Sequence, residues 1–162
     1  MQPLTPPQPG PPPDPPNGLF SAKVDAKGRL AVPSEFQEYL TKLHAKRLFV
    51  TSLDRTTARI YTMPVWMETK RRLLATTGPT KKAAKDVLFM ANLMGEDMEI
   101  DSTGRLLLPT NLRRDLGMEN AQVWLDAADG YLNVYNQTYF AARKESVAEN
   151  YEDKLEAVSD LL

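Results

Sequence analysis

Val24-Asp25-Ala26-Lys27-Gly28-Arg29-Leu30-Ala31-Val32-Pro33 recurs 76 positions later as Ile100-Asp101-Ser102-Thr103-Gly104-Arg105-Leu106-Leu107-Leu108-Pro109. A β-branched residue, an Asp, two variable positions, Gly-Arg, an apolar run and a Pro appear twice in the same order without a gap. A repeat of this kind governs the reading of everything else, because it makes the molecule two related units. Each copy reads as a strand, a tight turn and a second strand. The Asp25 or Asp101 carboxylate is placed to accept a backbone N–H two residues on. Gly28 and Gly104 supply a positive φ that a Cβ would resist. Pro33 or Pro109 then stops the pairing near the start of a helix. Arg29 and Arg105 therefore stand at hairpin shoulders, with their guanidinium groups free to leave the sheet.

Around the first copy, residues 19–24 and 30–32 read as the two strands. After Pro33, Ser34 is expected to cap a helix, with Gln37 completing a capping box, and Phe36, Leu40 and Leu43 form a stripe at helical spacing. Leu48-Phe49-Val50 and Ala58-Arg59-Ile60-Tyr61 flank Asp54-Arg55-Thr56-Thr57 as strand, turn and strand. Pro64 opens a helix in which Trp66, Leu73 and Leu74 read as core. Thr76-Thr77-Gly78-Pro79 breaks it. Residues 79–94 form the next helix, with Ala83, Val87, Met90, Ala91 and Met94 as its apolar face. Lys81, Lys82 and Lys85 cluster at the start of that helix, which opposes its dipole.

The second copy runs in parallel. Leu112 and Leu116 stand where Phe36 and Leu40 stood, and Gly117 ends the helix. Val123-Trp124-Leu125, a turn at Asp129-Gly130 and residues 131–135 repeat the later hairpin. There Val134-Tyr135 matches Ile60-Tyr61 at a separation of 74, as though two loop residues were lost. Residues 137–151 read as a helix, and the acidic stretch 152–162 is expected to fray. Neither half is large enough to hide its apolar face alone, so the two are expected to pack as a pseudo-dimer of class α+β.

Composition narrows the chemistry. Nine of the thirteen prolines lie in residues 1–17, a stretch that cannot bury a core and reads as a disordered or polyproline-II tail. The chain has no cysteine and one histidine, His44, which excludes thiolate chemistry and a His- or Cys-based metal cluster within one chain. No G-x-S-x-G elbow, Walker A loop or G-x-G-x-x-G is present. Asp25 and Asp101 read as turn residues rather than as a catalytic carboxylate pair. An enzyme is not expected, nor is a cofactor or metal. No 18-residue apolar run occurs and residues 1–17 lack the marks of a signal peptide, so no membrane association is expected and a cytoplasmic location is.

Charge is unevenly divided between the two halves. The net charge is −1, yet residues 19–95 carry fourteen Lys/Arg against six Asp/Glu, and residues 96–162 carry six against fourteen. Such asymmetry suits either a polyanionic partner or complementary surfaces meeting between subunits. An Arg on a protruding loop can make two parallel hydrogen bonds to guanine O6 and N7, while a Lys neutralises phosphate. Lys27 and Arg29 fit those roles. Thr103 stands where Lys27 stood, so the first loop is expected to contact DNA more strongly. No helix-turn-helix, zinc finger or basic zipper is present, which leaves a loop or β-type reader.

At these residues the chain resembles the MraZ family of bacterial transcriptional regulators and, more widely, the AbrB/SpoVT-type swapped-hairpin proteins. The resemblance rests on Asp25-Ala26-Lys27-Gly28-Arg29 with Pro33, on Asp101-Ser102-Thr103-Gly104-Arg105 with Pro109, and on Ile60-Tyr61 followed by Pro64-Val65-Trp66. It covers residues 19–142; the Pro-rich tail is outside the family pattern. It implies two tandem swapped-hairpin AbrB-like β domains with flanking helices, assembled into a ring-shaped homo-oligomer. The expected organisation is a tail at 1–18, a first repeat at 19–66, linker helices at 67–97, a second repeat at 98–141, and a C-terminal helix and acidic end at 142–162. It further implies a cytoplasmic, nucleoid-associated regulator, expected to repress, that binds double-stranded DNA. The expected target is short G-rich direct repeats near its own promoter, in the division and cell-wall gene cluster. DNA contact falls on Lys27, Arg29 and then Arg105, with Asp25, Gly28, Asp101 and Gly104 as turn supports. The competing expectation is a protein-interaction scaffold of the same fold, working through its loops or its tail.

Overall fold

A computed structural model describes residues 3–7 and 10–162. In chain order the elements are β1 (Phe20–Val24), β2 (Arg29–Ala31), α1 (Ser34–Lys42), β3 (Arg47–Thr51), β4 (Thr57–Thr62), α2 (Met63–Ala75), a 3-10 turn (Gly78–Thr80), α3 (Lys81–Met94), β5 (Glu96–Glu99), β6 (Arg105–Leu107), α4 (Thr110–Asp115), β7 (Ala121–Ala128), β8 (Tyr131–Tyr135), α5 (Gln137–Ala148), α6 (Tyr151–Ala157) and a last 3-10 turn (Ser159–Leu161). The tail expected at residues 1–18 falls in part on Met1, Gln2, Gln8 and Pro9, which lie outside the described residues. Residues 3–7 and 10–17 form neither helix nor strand.

The eight strands make one antiparallel sheet in the order β5-β3-β4-β8-β7-β1-β2-β6. The pairing exchanges hairpins between the halves: β1 of the first copy lies against β7 of the second, and β5 of the second lies against β3 of the first. Two seams join equivalent strands to each other. Leu30 faces Leu106 where β2 meets β6, and Arg59 faces Asn133 where β4 meets β8. Equivalent residues facing one another mark an internal two-fold axis. This is the pseudo-dimer expected from the duplicated pattern, with the swapped hairpins that the family resemblance implies.

Both halves feed one core. Val24, Leu30, Phe36 and Leu40 of the first are buried with Leu106, Leu112, Leu116, Val123 and Leu125 of the second. Each such side chain contributes about 1.5–3 kcal/mol of hydrophobic stabilisation, and neither half could supply the set alone. A smaller cluster of Phe49, Tyr61, Trp66 and Ala91 forms where α2 and α3 cover β3 and β4, with Phe49 stacked on Trp66 at 4.5 Å.

Several local expectations are corrected. Ser34 does not cap α1. Pro33 holds the N-cap position (φ −55°, ψ 143°) without a side-chain cap, and its carbonyl accepts the Phe36 and Gln37 N–H groups. In α2, Leu73 follows Trp66 by seven residues and shares its face. Leu74 lies a further 100° round the helix and is 63% exposed. In α3 the covered residues are Ala84, Ala91 and Met94, with Leu88 packed on the Phe49–Trp66 cluster, whereas Ala83 and Val87 are exposed. Met90, Ala91 and Met94 are covered as expected, and in the first turns Ala84 and Leu88 take the places expected for Ala83 and Val87. The helix expected over residues 137–151 breaks at Asn150 (φ +53°). The acidic end beyond it is helical rather than frayed, and Lys154 Nζ donates to the Ser146 carbonyl at 2.9 Å. The halves also differ in length beyond the loop, since α1 has nine residues and α4 has six.

Candidate nucleic-acid interface

Strand alternation sets the site. Across the β2–β6 seam, Leu30 and Leu106 point into the core, so Arg29, Ala31, Arg105 and Leu107 point outward. The two loops that carry the repeated pattern thus lie side by side on one exposed ribbon. Lys23 of β1 is exposed beside it, and the equivalent position of the second copy is Glu99.

In the first loop one carboxylate organises the turn. Asp25 Oδ1 accepts the N–H groups of Lys27 and Arg29, both at 2.9 Å, and Oδ2 accepts Arg29 Nε at 3.0 Å. The Gly28 N–H returns to the Asp25 carbonyl at 3.0 Å, with Gly28 at φ +84°. The Arg29 backbone N–H, aided by its guanidinium and the Lys27 N–H, outweighs partial burial. It holds the Asp25 carboxyl below the usual carboxylate range.

The second loop keeps the turn but not the clamp. Asp101 Oδ1 accepts the Thr103 hydroxyl at 2.6 Å, the Thr103 N–H at 2.8 Å and the Arg105 N–H at 3.0 Å. The Thr103 hydroxyl leads the groups that hold this carboxyl below the usual carboxylate range. Arg105 pairs loosely across the seam, with Nη1 3.9 Å from Asp25 Oδ2. The Arg29 side chain is 37% exposed and that of Arg105 48%, so both guanidinium groups are reachable from outside.

Each loop is braced by the other half of the chain. The Leu108 N–H donates to the Gly28 carbonyl at 2.9 Å, and the Val32 N–H donates to the Gly104 carbonyl at 3.1 Å. Arg113 Nη1 donates across to the Lys27 carbonyl at 2.9 Å, while Gln37 Nε2 donates to the Val32 carbonyl of its own half at 2.7 Å. A Cβ at Gly28 would lie 1.8 Å from Arg113 Nη1, and one at Gly104 would lie 2.4 Å from Gln37 Nε2. The two glycines therefore serve close approach as well as positive φ. Arg113 Nε stands 3.2 Å from Glu119 Oε1 without hydrogen-bond alignment. Sequence reasoning missed Gln37 and Arg113 as loop supports. Their separation of 76, shared with the repeat, was the available signal.

The seven residues singled out from the sequence, Asp25, Lys27, Gly28, Arg29, Asp101, Gly104 and Arg105, all fall in these two adjacent loops. Among the described residues no three His, Cys, Asp or Glu side chains converge as a metal site. None of the described helices is long and apolar enough to cross a membrane.

Comparison with known proteins points to one family. A family model described as "MraZ protein, putative antitoxin-like" matches residues 93–160. The chain is 33% identical to a transcriptional regulator MraZ of Acidobacterium capsulatum over 79% of its own length and 86% of that protein. It is 29% identical to a protein of the same name from Herpetosiphon aurantiacus, over 88% of this chain and 93% of the relative. For another from Hydrogenovibrio crunogenus the identity is 30%, over 79% and 84%.

Proposed function

The chain belongs to the MraZ family of transcriptional regulators, and from that premise we propose that it binds double-stranded DNA in a sequence-dependent way through its first hairpin loop. The observation that carries this reading is the outward ribbon, where Lys23, Lys27 and Arg29 stand together on one copy of the repeat. Lys27 neutralises phosphate. Arg29 reads guanine O6 and N7 in the major groove. The bond from Asp25 engages Nε and leaves the two terminal guanidinium nitrogens for the base. A guanidinium already held in place loses less side-chain freedom on binding. Arg105 is the secondary contact, since Glu99 and Thr103 replace the two lysines around it.

The target is a set of short G-rich direct repeats near the chain's own promoter in the division and cell-wall gene cluster. The regulator represses there, on the nucleoid in the cytoplasm. Direct repeats call for reading heads related by head-to-tail contacts, and such contacts must close into a ring to avoid a filament. The basic first half and acidic second half suit that arrangement. Several loops on one ring bind tandem sites far more tightly than one loop binds one site. A gel shift with duplexes carrying tandem G-rich repeats or the same bases scrambled tests the reading. A clear preference for the repeats is expected, and equal mobility shifts on both duplexes would overturn it. Sedimentation at rising salt tests the ring: an assembly unmoved at about 1 M salt would rule out charge-driven closure.

A further inference from the structure

The strand order puts a second seam, β4 against β8, on the other side of the sheet from β2 and β6. A groove of about 620 Å³ opens beside it. Tyr39 of α1 and Leu43 just beyond its end form one wall, and Met63 and Val65 at the start of α2 form the other. The floor joins the two halves of the chain. Thr62 donates to the Gly130 carbonyl through both its N–H and its hydroxyl at 3.0 Å, and the Gly130 N–H donates to the Tyr39 hydroxyl at 3.4 Å. Val65 fills the space that a Cβ on Gly130 would need, 2.1 Å from its Cγ2. The groove therefore has largely apolar walls, with Tyr39 as its one aromatic, on a fixed floor. Such surfaces suit the ridged face of a polyproline-II segment.

The chain's own tail lies on it. Pro12, Pro13 and Asp14 line the groove. Pro13, Pro15 and Pro16 are half-buried, whereas residues 3–7 and 10–12 are exposed, Leu4 at 97%. A polyproline-II helix has three residues per turn, which puts Pro13 and Pro16 on one face. Gly18, at φ +104°, sets the direction in which the tail leaves β1, a conformation that side chains resist. Asp14, the single charge of the tail, lies in the groove with His44, Lys46 and Arg47, and Asp129 is the acid of the folded body that shares it.

We propose that this groove is a receptor for proline-rich segments, occupied in cis by residues 12–16 of the same chain. Only Asn17 to Leu19 separate the segment from β1, and so short a link gives an effective concentration on the order of millimolar. A weakly binding segment then stays seated. Its preformed backbone also loses little freedom on docking. No residue of either hairpin loop lines the groove, so this inference does not rest on the DNA reading.

The test uses the full chain with Pro13→Ser, Pro15→Ser and Pro16→Ser together, beside the parent, with near-ultraviolet circular dichroism showing both folded. The probe is a fluorescein-labelled peptide of residues 10–18, followed by anisotropy. The expected result is binding to the triple variant at least tenfold tighter than to the parent, because the cis competitor is gone. Replacing Asp14 by Lys in the peptide should weaken that binding severalfold. Amide exchange at residues 43–47 and 62–65 should be faster in the variant and slow again when peptide is added. A peptide that binds neither chain, or both alike, would overturn the proposal.

Discussion

The two hairpin loops are alike in backbone and unlike in what surrounds their arginines. Both turn through an Asp-anchored glycine at φ near +80°, and both are pinned by a carbonyl bond from the opposite half. Yet Arg29 is clamped by its own aspartate with Lys23 and Lys27 nearby, while Arg105 reaches loosely to the other loop's aspartate among Glu99 and Asp101. The difference separates two roles within one motif. The Asp, the Gly and the Arg backbone N–H build the turn, so both copies keep them. The chemistry offered to a ligand is set by the variable positions, 23 and 27 against 99 and 103.

The sharpest way to break the likeness is at the glycines. Gly28→Ala should cost about 2–4 kcal/mol, from a left-handed alanine and a displaced Arg113. Gly104→Ala should cost about 1–2 kcal/mol, because the tip of Gln37 swings aside more easily than a guanidinium bonded to two carbonyls. Urea unfolding of both variants measures the gap, and equal losses would mean that the two braces are equivalent.

A smaller difference is expected in binding. Arg29→Ala should weaken a G-containing site by about 1–3 kcal/mol, and Arg105→Ala by less than about 1 kcal/mol, both read by fluorescence anisotropy. Lys27→Ala acts on phosphate, so its loss should be alike on every sequence and should lower the slope of log K against log salt by about 1. Thr103→Ala should leave that slope alone.

The smallest effect is one of pH. Asp25 titrates below its unfolded value, so its contribution to stability is complete above about pH 4 and is lost as pH falls through the lower folded value. Asp25→Asn should therefore be less stable than the parent at neutral pH, with the gap closing in strong acid. Asp101 is lowered too, and Asp101→Asn should follow the same direction. Urea unfolding at several pH values checks both; a gap that widens in acid would reverse the assigned sign.

Both hairpins and their glycines are legible in the sequence because they depend on residues close together, and the pseudo-symmetric packing is legible because the pattern occurs twice. What escaped depends on contacts between distant residues. Arg113 bonds the loop of the opposite half and Gln37 lies against Gly104 of the other, and nothing in their own helices reveals it. In α3, Ala83-Val87 and Ala84-Leu88 fit a 3.6-residue period equally well, so only the Phe49–Trp66 cluster decides which pair is covered. Ser34 looked like a cap because its type suits the position, yet Pro33 starts the helix one residue sooner. The break at Asn150 carries neither Gly nor Pro to announce it.

The most direct test titrates one duplex of tandem G-rich repeats, at one salt concentration, with three chains: the parent, Lys27→Ala with Arg29→Ala, and Thr103→Ala with Arg105→Ala. Anisotropy should show the first double variant binding about tenfold or more weaker than the parent, with the second within about threefold. Three superimposable curves, or a larger loss from the second pair, would contradict a DNA contact centred on the first loop.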